Sequence, residues 1–476
     1  MSSPHTTVGQ TLLDSSTVQQ SIDALVTEVQ QQVQHIKGPQ PARSELKLDY
    51  DQWLKRSAQT RGRDLLYPYI GSGAGHRALV ELADGSVKWD LITGIGVNFF
   101  GHSYPPLIRE GLYAALSDTL KQGNLQMNTE PTRFSELLLT EAQRGSKLAH
   151  CFLTTSGAMA NENALKIALQ KHAPAGRVLA FSHCFMGRSI VMSQIGDSPA
   201  NRVGIPLSTQ VDYIPFWNEA KAKTVGKAKF IDMTLRHLER VIARYPGQHA
   251  CFVFELIQGE GGFNVGDRDF FKALMEMCKA HNIAVWDDEI QTFGRGETMF
   301  AYDYFELGDY IDLLCVGKMT QVCATLYTQD YNPKPGLLSG TFIGDAPSLR
   351  MGQAIVEALR DGDFYGAKGK LAQHHTLFRT HIQALIDRHP EWFPTVEGLN
   401  GLVGGVGGMM RFTPFGGAKD KIIAACKALF DVGLIVFWCG HGPYHIRLLP
   451  PLPVMTENDW DQIMPLFEEG LARVVR

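Results

Sequence analysis

Apolar residues fall into two rhythms along this chain, and the switch between them predicts most of its elements. Through the middle, compact apolar runs end abruptly in polar residues: RVLAFS at 177–182, ACFVFELIQ at 250–258, IAVW at 283–286 and IDLLCV at 311–316. Runs of this length with β-branched and aromatic content read as buried strands. Between them the spacing stretches to three and four, as in Ala160, Ala164, Leu165 and Ala168 after a strand ending at Thr154. That is the spacing of a helix with one buried face. Strand and helix alternating from about 148 to 330 predict a doubly wound, mainly parallel sheet covered on both faces.

The flanks read differently. Val18, Ile22, Leu25, Val29, Val33 and Ile36 recur every three or four positions after Asp14 and Ser15, either of which suits a helix cap, and GPQP at 38–41 ends the pattern. This helix is expected either to dock on a partner subunit or to pack on its own domain. LVEL at 79–82 and VKWDLI at 87–92, joined through Asp84-Gly85, read as a hairpin. GIGVNFFG at 94–101 is too rich in glycine for a regular element; it is expected to be a buried turn or a cavity-lining loop walled by Phe99 and Phe100.

Length and composition narrow the class. A chain of 476 residues with 44% hydrophobic content forms two or three domains with ample core. A net charge of −4 without a basic run argues against nucleic acid as a partner. No signal-peptide order and no apolar run of about 18 residues are present, so a cytoplasmic protein without a membrane span is expected. Eight cysteines without a CxxC pair fit reduced thiols better than disulfides or zinc, and no metal is expected.

Chemistry gathers at the ends of the predicted strands. IAVW runs into Asp287, Asp288 and Glu289, and IDLLCV runs into Gly317 and Lys318. In an open α/β sheet ligands sit at the carboxyl ends of strands. An acid and an amine delivered there suit the two ends of pyridoxal phosphate, the lysine as a Schiff base on the aldehyde and the acid on the ring nitrogen. Taken singly, each residue is as well read as a cap or a solvated side chain. Ser156 and Gly157 at a strand-to-helix turn suit an anion, although a plain N-cap has the same sequence. Phe185 is able to stack on a planar ring and Arg188 to fork onto a carboxylate.

The runs SGAMANENALKIA, FMGRS, ELIQGEGG, DDEIQTFGRG, GKMTQVC, SGTFIGD and HIRLLPPL occur in the order and approximate spacing of class III aminotransferases. Over residues 65–475 the chain resembles these pyridoxal-phosphate enzymes, which include ornithine, acetylornithine, 4-aminobutyrate and lysine 6-aminotransferases. GKMTQVC and FMGRS look most like the lysine 6-aminotransferases, whereas GDAPS at 344–348 leans toward the 4-aminobutyrate enzymes. The resemblance implies the α/β fold of fold type I: a mainly parallel seven-stranded sheet in a large domain, plus a smaller α+β domain from both chain ends. The expected division is a helical extension at 1–44, small-domain residues at 45–98, a large cofactor-binding domain at 99–345 and the rest of the small domain at 346–476.

The same resemblance assigns roles. Lys318 becomes the Schiff-base lysine and proton carrier, and Asp288 the partner of the ring nitrogen. Gln291 reaches the ring oxygen, Phe185 stacks, and Ser156, Gly157 and Ala158 cradle the phosphate. Thr341 matches a residue that reaches the phosphate of the neighbouring subunit, implying a homodimer with shared sites. Arg188, Glu260 and Arg447 bind substrate, Arg447 taking an α-carboxylate that Glu260 masks when the donor is bound. Three departures bear on loop shape: Phe293 directly after Thr292 where a glycine is common, Leu256 where a proline is common, and the additional acid Asp287.

The expected activity is transfer of the terminal amino group of an ω-amino or diamino acid, lysine- or ornithine-like, to 2-oxoglutarate. Acetylornithine or 4-aminobutyrate chemistry is the alternative within the family. An aminomutase or racemase uses the same lysine. A non-catalytic cofactor-sensing regulator would need a DNA-reading module, which the glutamine-rich N-terminal helix is too short and too weakly basic to supply.

Overall fold

The computed structural model describes residues 6–475; the first five residues of the expected 1–44 extension, and Arg476, lie outside the described residues. Its centre is a seven-stranded sheet in the order Leu148–Thr154, Cys323–Thr328, Leu313–Val316, Ala284–Glu289, His249–Phe254, Arg177–Phe181 and Val211–Ile214. The strands are parallel except Cys323–Thr328, which runs antiparallel to both neighbours. His249–Phe254 and Ala284–Glu289 are buried along their whole length, as expected of strands covered on two faces. Helix Gly157–Lys171 lies close on the sheet because its buried side includes Ala160, Ala164 and Ala168, whose small side chains let backbones approach.

The run at 250–258 is not one strand. It leaves the sheet after Phe254, and Ile257–Gln258 pairs instead with Asn264–Val265 in a separate ribbon. Glu255 causes the break: its buried carboxylate accepts hydrogen bonds from the backbone N–H of Gly259 and of Phe185, which turns the chain. The strand expected at 283–286 extends to Glu289, so the three acids stand within the sheet. Val211–Ile214 and Cys323–Thr328 had no clear run, the first because VDYI is half polar and lies at the sheet edge.

The two ends of the chain meet. Gly71–His76, Leu79–Leu82 and Val87–Asp90 form a sheet whose fourth strand is Leu434–Ile435. A second sheet takes Val403–Val406, Met409–Phe412, His445–Leu448 and Phe437–Cys439. The expected hairpin is present, with Leu79 opposite Trp89. Helix Ser16–Val33 packs on its own chain: Ile22, Val26 and Val33 are buried, and Gln30 Nε2 donates to Ser103 O at 2.7 Å. Leu25, expected on the buried side, is exposed, and Val26 takes its place. Among the described residues no helix is long and apolar enough to cross a membrane.

Candidate active site

Four strands of the large sheet deliver functional groups at their carboxyl ends, the edge where ligands sit in such sheets. Leu148–Thr154 leads to Ser156, Arg177–Phe181 to Phe185, Ala284–Glu289 to Asp288, and Leu313–Val316 to Lys318. Because side chains alternate along a strand, Asp288 faces oppositely to Asp287 and Glu289. Asp288 Oδ2 accepts from Asn161 Nδ2 at 2.7 Å, and Oδ1 from the Ile290 N–H at 2.9 Å. Burial raises its carboxyl to about 6, while those two bonds and the Lys318 charge restrain the rise. It therefore stays largely ionised at neutral pH.

Asp287 and Glu289 serve the other face. Glu289 accepts from the N–H groups of Ala301 and Tyr302. Burial, then the neighbouring Glu289 carboxylate, raises the Asp287 carboxyl well above its ordinary value. The extra acid thus points to the opposite face from Asp288, on whose carboxylate the Lys318 charge acts.

Lys318 sits in the left-handed region at φ 52°, opening a 3-10 turn of three residues. Burial, then the Arg447 charge, lowers its amine to about 8, against the opposing pull of Glu260 and Asp288. An amine so placed is neutral far more often than a surface lysine, as attack on a carbonyl requires.

Ser156 caps helix Gly157–Lys171, its hydroxyl accepting from the Met159 N–H at 3.2 Å. The N-cap reading therefore holds for its side chain, while the first N–H groups of any helix lack intrahelical partners and suit an anion. Gly157 has no room for a side chain: a Cβ there would lie 2.9 Å from Ile290. Phe185 is half-buried, and the exposed Arg188 guanidinium lies 5.6 Å from its ring centre.

Arg447, whose charge acts on Lys318, is fully buried, pairs with Glu260 Oε1 at 2.7 Å and donates to Gln291 Oε1 at 3.2 Å. Burial works against the Glu260 carboxylate, yet Arg447 and Lys318 hold it below its ordinary value. Thr341 is exposed, beside Phe342 at 57% exposure, and its carbonyl abuts Gly123, near Leu125 at 95% exposure.

Three contributors escape a reading of the sequence. Asn161 holds Asp288 and also donates to Met186 O at 2.7 Å, tying the helix to the loop that carries Phe185. Its signal is a polar residue on an otherwise small and apolar helix face. Glu255, which burial raises to about 8, joins Phe185 to the start of the loop that carries Glu260. Arg295 is buried, donates from Nη1 to Gln291 O at 3.1 Å and from Nη2 to Gly96 O, and lies 5.6 Å from the Phe99 ring centre. It fastens the glycine-rich 94–101 segment to the turn that follows the strand carrying Asp288.

A desolvated lysine, a buried acid held by two donors, and a helix N-terminus that opens on a glycine fit the aldehyde, ring nitrogen and phosphate of pyridoxal phosphate. The fold and this donor set define a fold type I pyridoxal-phosphate enzyme. The family model described as "Aminotransferase class-III" matches residues 68–471, and the chain belongs to that family: it is an aminotransferase whose cofactor is pyridoxal phosphate. It is 25% identical over 402 residues to the acetylornithine/succinyldiaminopimelate aminotransferase of Yersinia pestis, covering 81% of this chain and 89% of that one. It is 26% identical over 428 residues to a probable 4-aminobutyrate aminotransferase of Bacillus subtilis, covering 84% and 94%. The solved lysine aminotransferase of M. tuberculosis superposes with a TM-score of 0.75 at 23% identity, over 88% of this chain and 99% of that chain.

Proposed function

We propose that this aminotransferase moves the terminal amino group of an ω-amino or diamino acid to 2-oxoglutarate. The observation that carries this reading is the Arg447–Glu260 pair at 2.7 Å. A donor that presents a terminal amine lays an apolar chain where Arg447 points, and an unpaired guanidinium beside that chain is costly. Glu260 neutralises it. 2-Oxoglutarate brings a carboxylate to the same place, and Arg447 then exchanges Glu260 for the substrate. The donors in the names of its relatives, acetylornithine and 4-aminobutyrate, are consistent with a remote amine.

Within this reading each residue has a task. Bound pyridoxal phosphate supplies an electron sink for the carbanion formed on the substrate. Lys318 carries the proton between substrate positions, and its lowered pKa suits it to both giving and taking. Asp288 keeps the ring nitrogen protonated, held in place by Asn161 and the Ile290 N–H. Ser156, Gly157 and Ala158 receive the phosphate, Phe185 covers the ring, and Gln291 reaches the ring oxygen while accepting from Arg447. Arg188 holds the donor's distal carboxylate at the mouth.

The reading includes a homodimer, with residues 99–345 as the cofactor domain and Thr341 reaching into the partner's site. Supporting it is the apolar surface left open around Thr341, where Phe342 and Leu125 stand exposed. Mixing the cofactor-loaded enzyme with a panel of ω-amino acids and diamines, and following loss of the cofactor's visible absorbance, identifies the donor without an acceptor. Response to α-amino acids alone would refute the terminal-amine assignment, and turnover without any keto acid would point to a mutase or racemase.

A further inference from the structure

Strands Met409–Phe412 and His445–Leu448 run antiparallel with Arg411 directly opposite Arg447, so the two side chains leave the same face of the sheet. Both are buried, Arg411 at 6% and Arg447 at 0% exposure. Their surroundings differ. Arg447 has Glu260. Arg411 has no carboxylate within ion-pair distance among the described residues; its one side-chain hydrogen bond, Nη1 to Thr413 Oγ1, is a long 3.5 Å, and its Nε is enclosed without a partner. A guanidinium held out of water without a counter-charge is costly, and arginine does not escape by losing its proton.

Arg411 forms part of the wall of a cleft of about 630 Å³ between the large sheet's loops and the C-terminal segment. Two further cations line it, Arg379 from helix Lys370–Arg388 and Lys221 from helix Glu219–Val225. The acid on its wall is Glu219, already engaged by Lys223 at 3.4 Å and by Trp217 Nε1 at 3.1 Å. Gln258, Phe263 and Asn264, which flank Glu260 in the chain, also line it. Asn218 Nδ2 to Gly398 O at 3.2 Å and Lys223 Nζ to Asn400 Oδ1 at 3.1 Å bridge its two sides.

We propose that this cleft binds a small oxyanion carrying at least two negative charges, a phosphate group or a dicarboxylate, with Arg411 as the buried anchor and Arg379 and Lys221 as rim cations. The guanidinium fork matches either group, three cations against one engaged acid call for more than a single charge, and the volume lies in the range of small-ligand sites. Neither Lys318, Asp288 nor Ser156 lines the cleft. The site is therefore separate from that of the cofactor, and its occupant touches the residues on either side of Glu260.

Isothermal titration of the cofactor-loaded enzyme with inorganic phosphate, and separately with malonate, tests this. One saturable event per chain is expected, weakened about tenfold or more by Arg411→Gln and by a smaller factor by Arg379→Gln. Heat from phosphate alone assigns a phosphate ligand, from malonate alone a dicarboxylate, and from both the shared oxyanion chemistry. No saturable binding by wild type overturns the site. So does binding that Arg447→Gln abolishes and Arg411→Gln leaves intact, since the anion then occupies the substrate site. Should Arg411→Gln fail to fold, the double variant Arg379→Gln/Lys221→Gln, altering two exposed side chains, decides: undiminished binding there overturns the proposal.

Discussion

Arg447 and Glu260 form an ion pair of 2.7 Å between unequal partners, the arginine wholly buried and the glutamate 27% exposed. Arg447 is fixed by Gln291 Oε1 and by the rings of Phe263 and Phe437, whose centres lie 5.8 and 5.3 Å away. Glu260 rides on a turn between Gly259 and Gly261-Gly262, with Gly262 at φ 130°. The anion is therefore the less enclosed member of the pair. Glu260→Ala is expected to leave Arg447 open throughout the cycle and to raise the rate with glutamate relative to ω-amino donors, by about tenfold or more. Stopped-flow half-reaction rates for both donor classes check it, and an unchanged ratio rejects the gate.

Lys318 offers a second, independent readout of the same carboxylate. With its amine near pH 8, the cofactor-free protein should react with pyridoxal phosphate at a rate that rises with pH and levels off above that value, because only the neutral amine attacks. Glu260 raises the Lys318 pKa, so Glu260→Ala shifts the midpoint downward. Lys318→Ala should fold normally, melt close to wild type and lack transaminase activity. A midpoint near the ordinary lysine value would contradict the burial of this amine.

Arg295 makes the expectation for the 94–101 segment concrete. Its guanidinium bridges Gln291 O and Gly96 O, and burial, with no carboxylate to offset it, lowers its pKa to about 9. Arg295→Met leaves both carbonyls without their donor, each costing roughly 1–3 kcal/mol. A lower melting temperature is expected, along with a raised KM for the amino donor as the segment loosens. An unaltered melting temperature would show that the bridge does not restrain the segment.

Much of this was legible beforehand because the large sheet is buried on both faces, so its strands write themselves as apolar runs ending in polar chemistry. Those endings brought Asp287, Asp288, Glu289, Lys318 and Ser156 to one edge of the sheet, while the choice of Asp288 among the three acids took the family resemblance. What stayed hidden depends on contacts distant in sequence. Glu255 breaks its strand by binding Phe185, seventy residues away, and Asn161 acts on Asp288 from the middle of a helix. Arg411 meets Arg447 only through a strand register that no local pattern encodes.

The three successive acids permit a test in which neighbours part ways. Asp288→Asn keeps the shape but has one acceptor where Asp288 has two, so it gives up one of the bonds from Asn161 Nδ2 and the Ile290 N–H. It also cannot hold a proton on the ring nitrogen, so turnover is expected to fall by about 100-fold or more while cofactor remains bound. Asp287→Asn alters a side chain on the other face and should stay near wild-type activity. Its effect belongs to stability. Burial raises both the Asp287 and Glu289 carboxyls above their ordinary values, so over the pH range above those values the native state holds a proton that the unfolded chain has released. Stability is then lost as pH rises through that window. Removing one titrating acid should flatten this decline, which thermal melts across mildly acidic to neutral pH would reveal. Loss of activity in Asp287→Asn with retention in Asp288→Asn would reverse the assignment of the two residues.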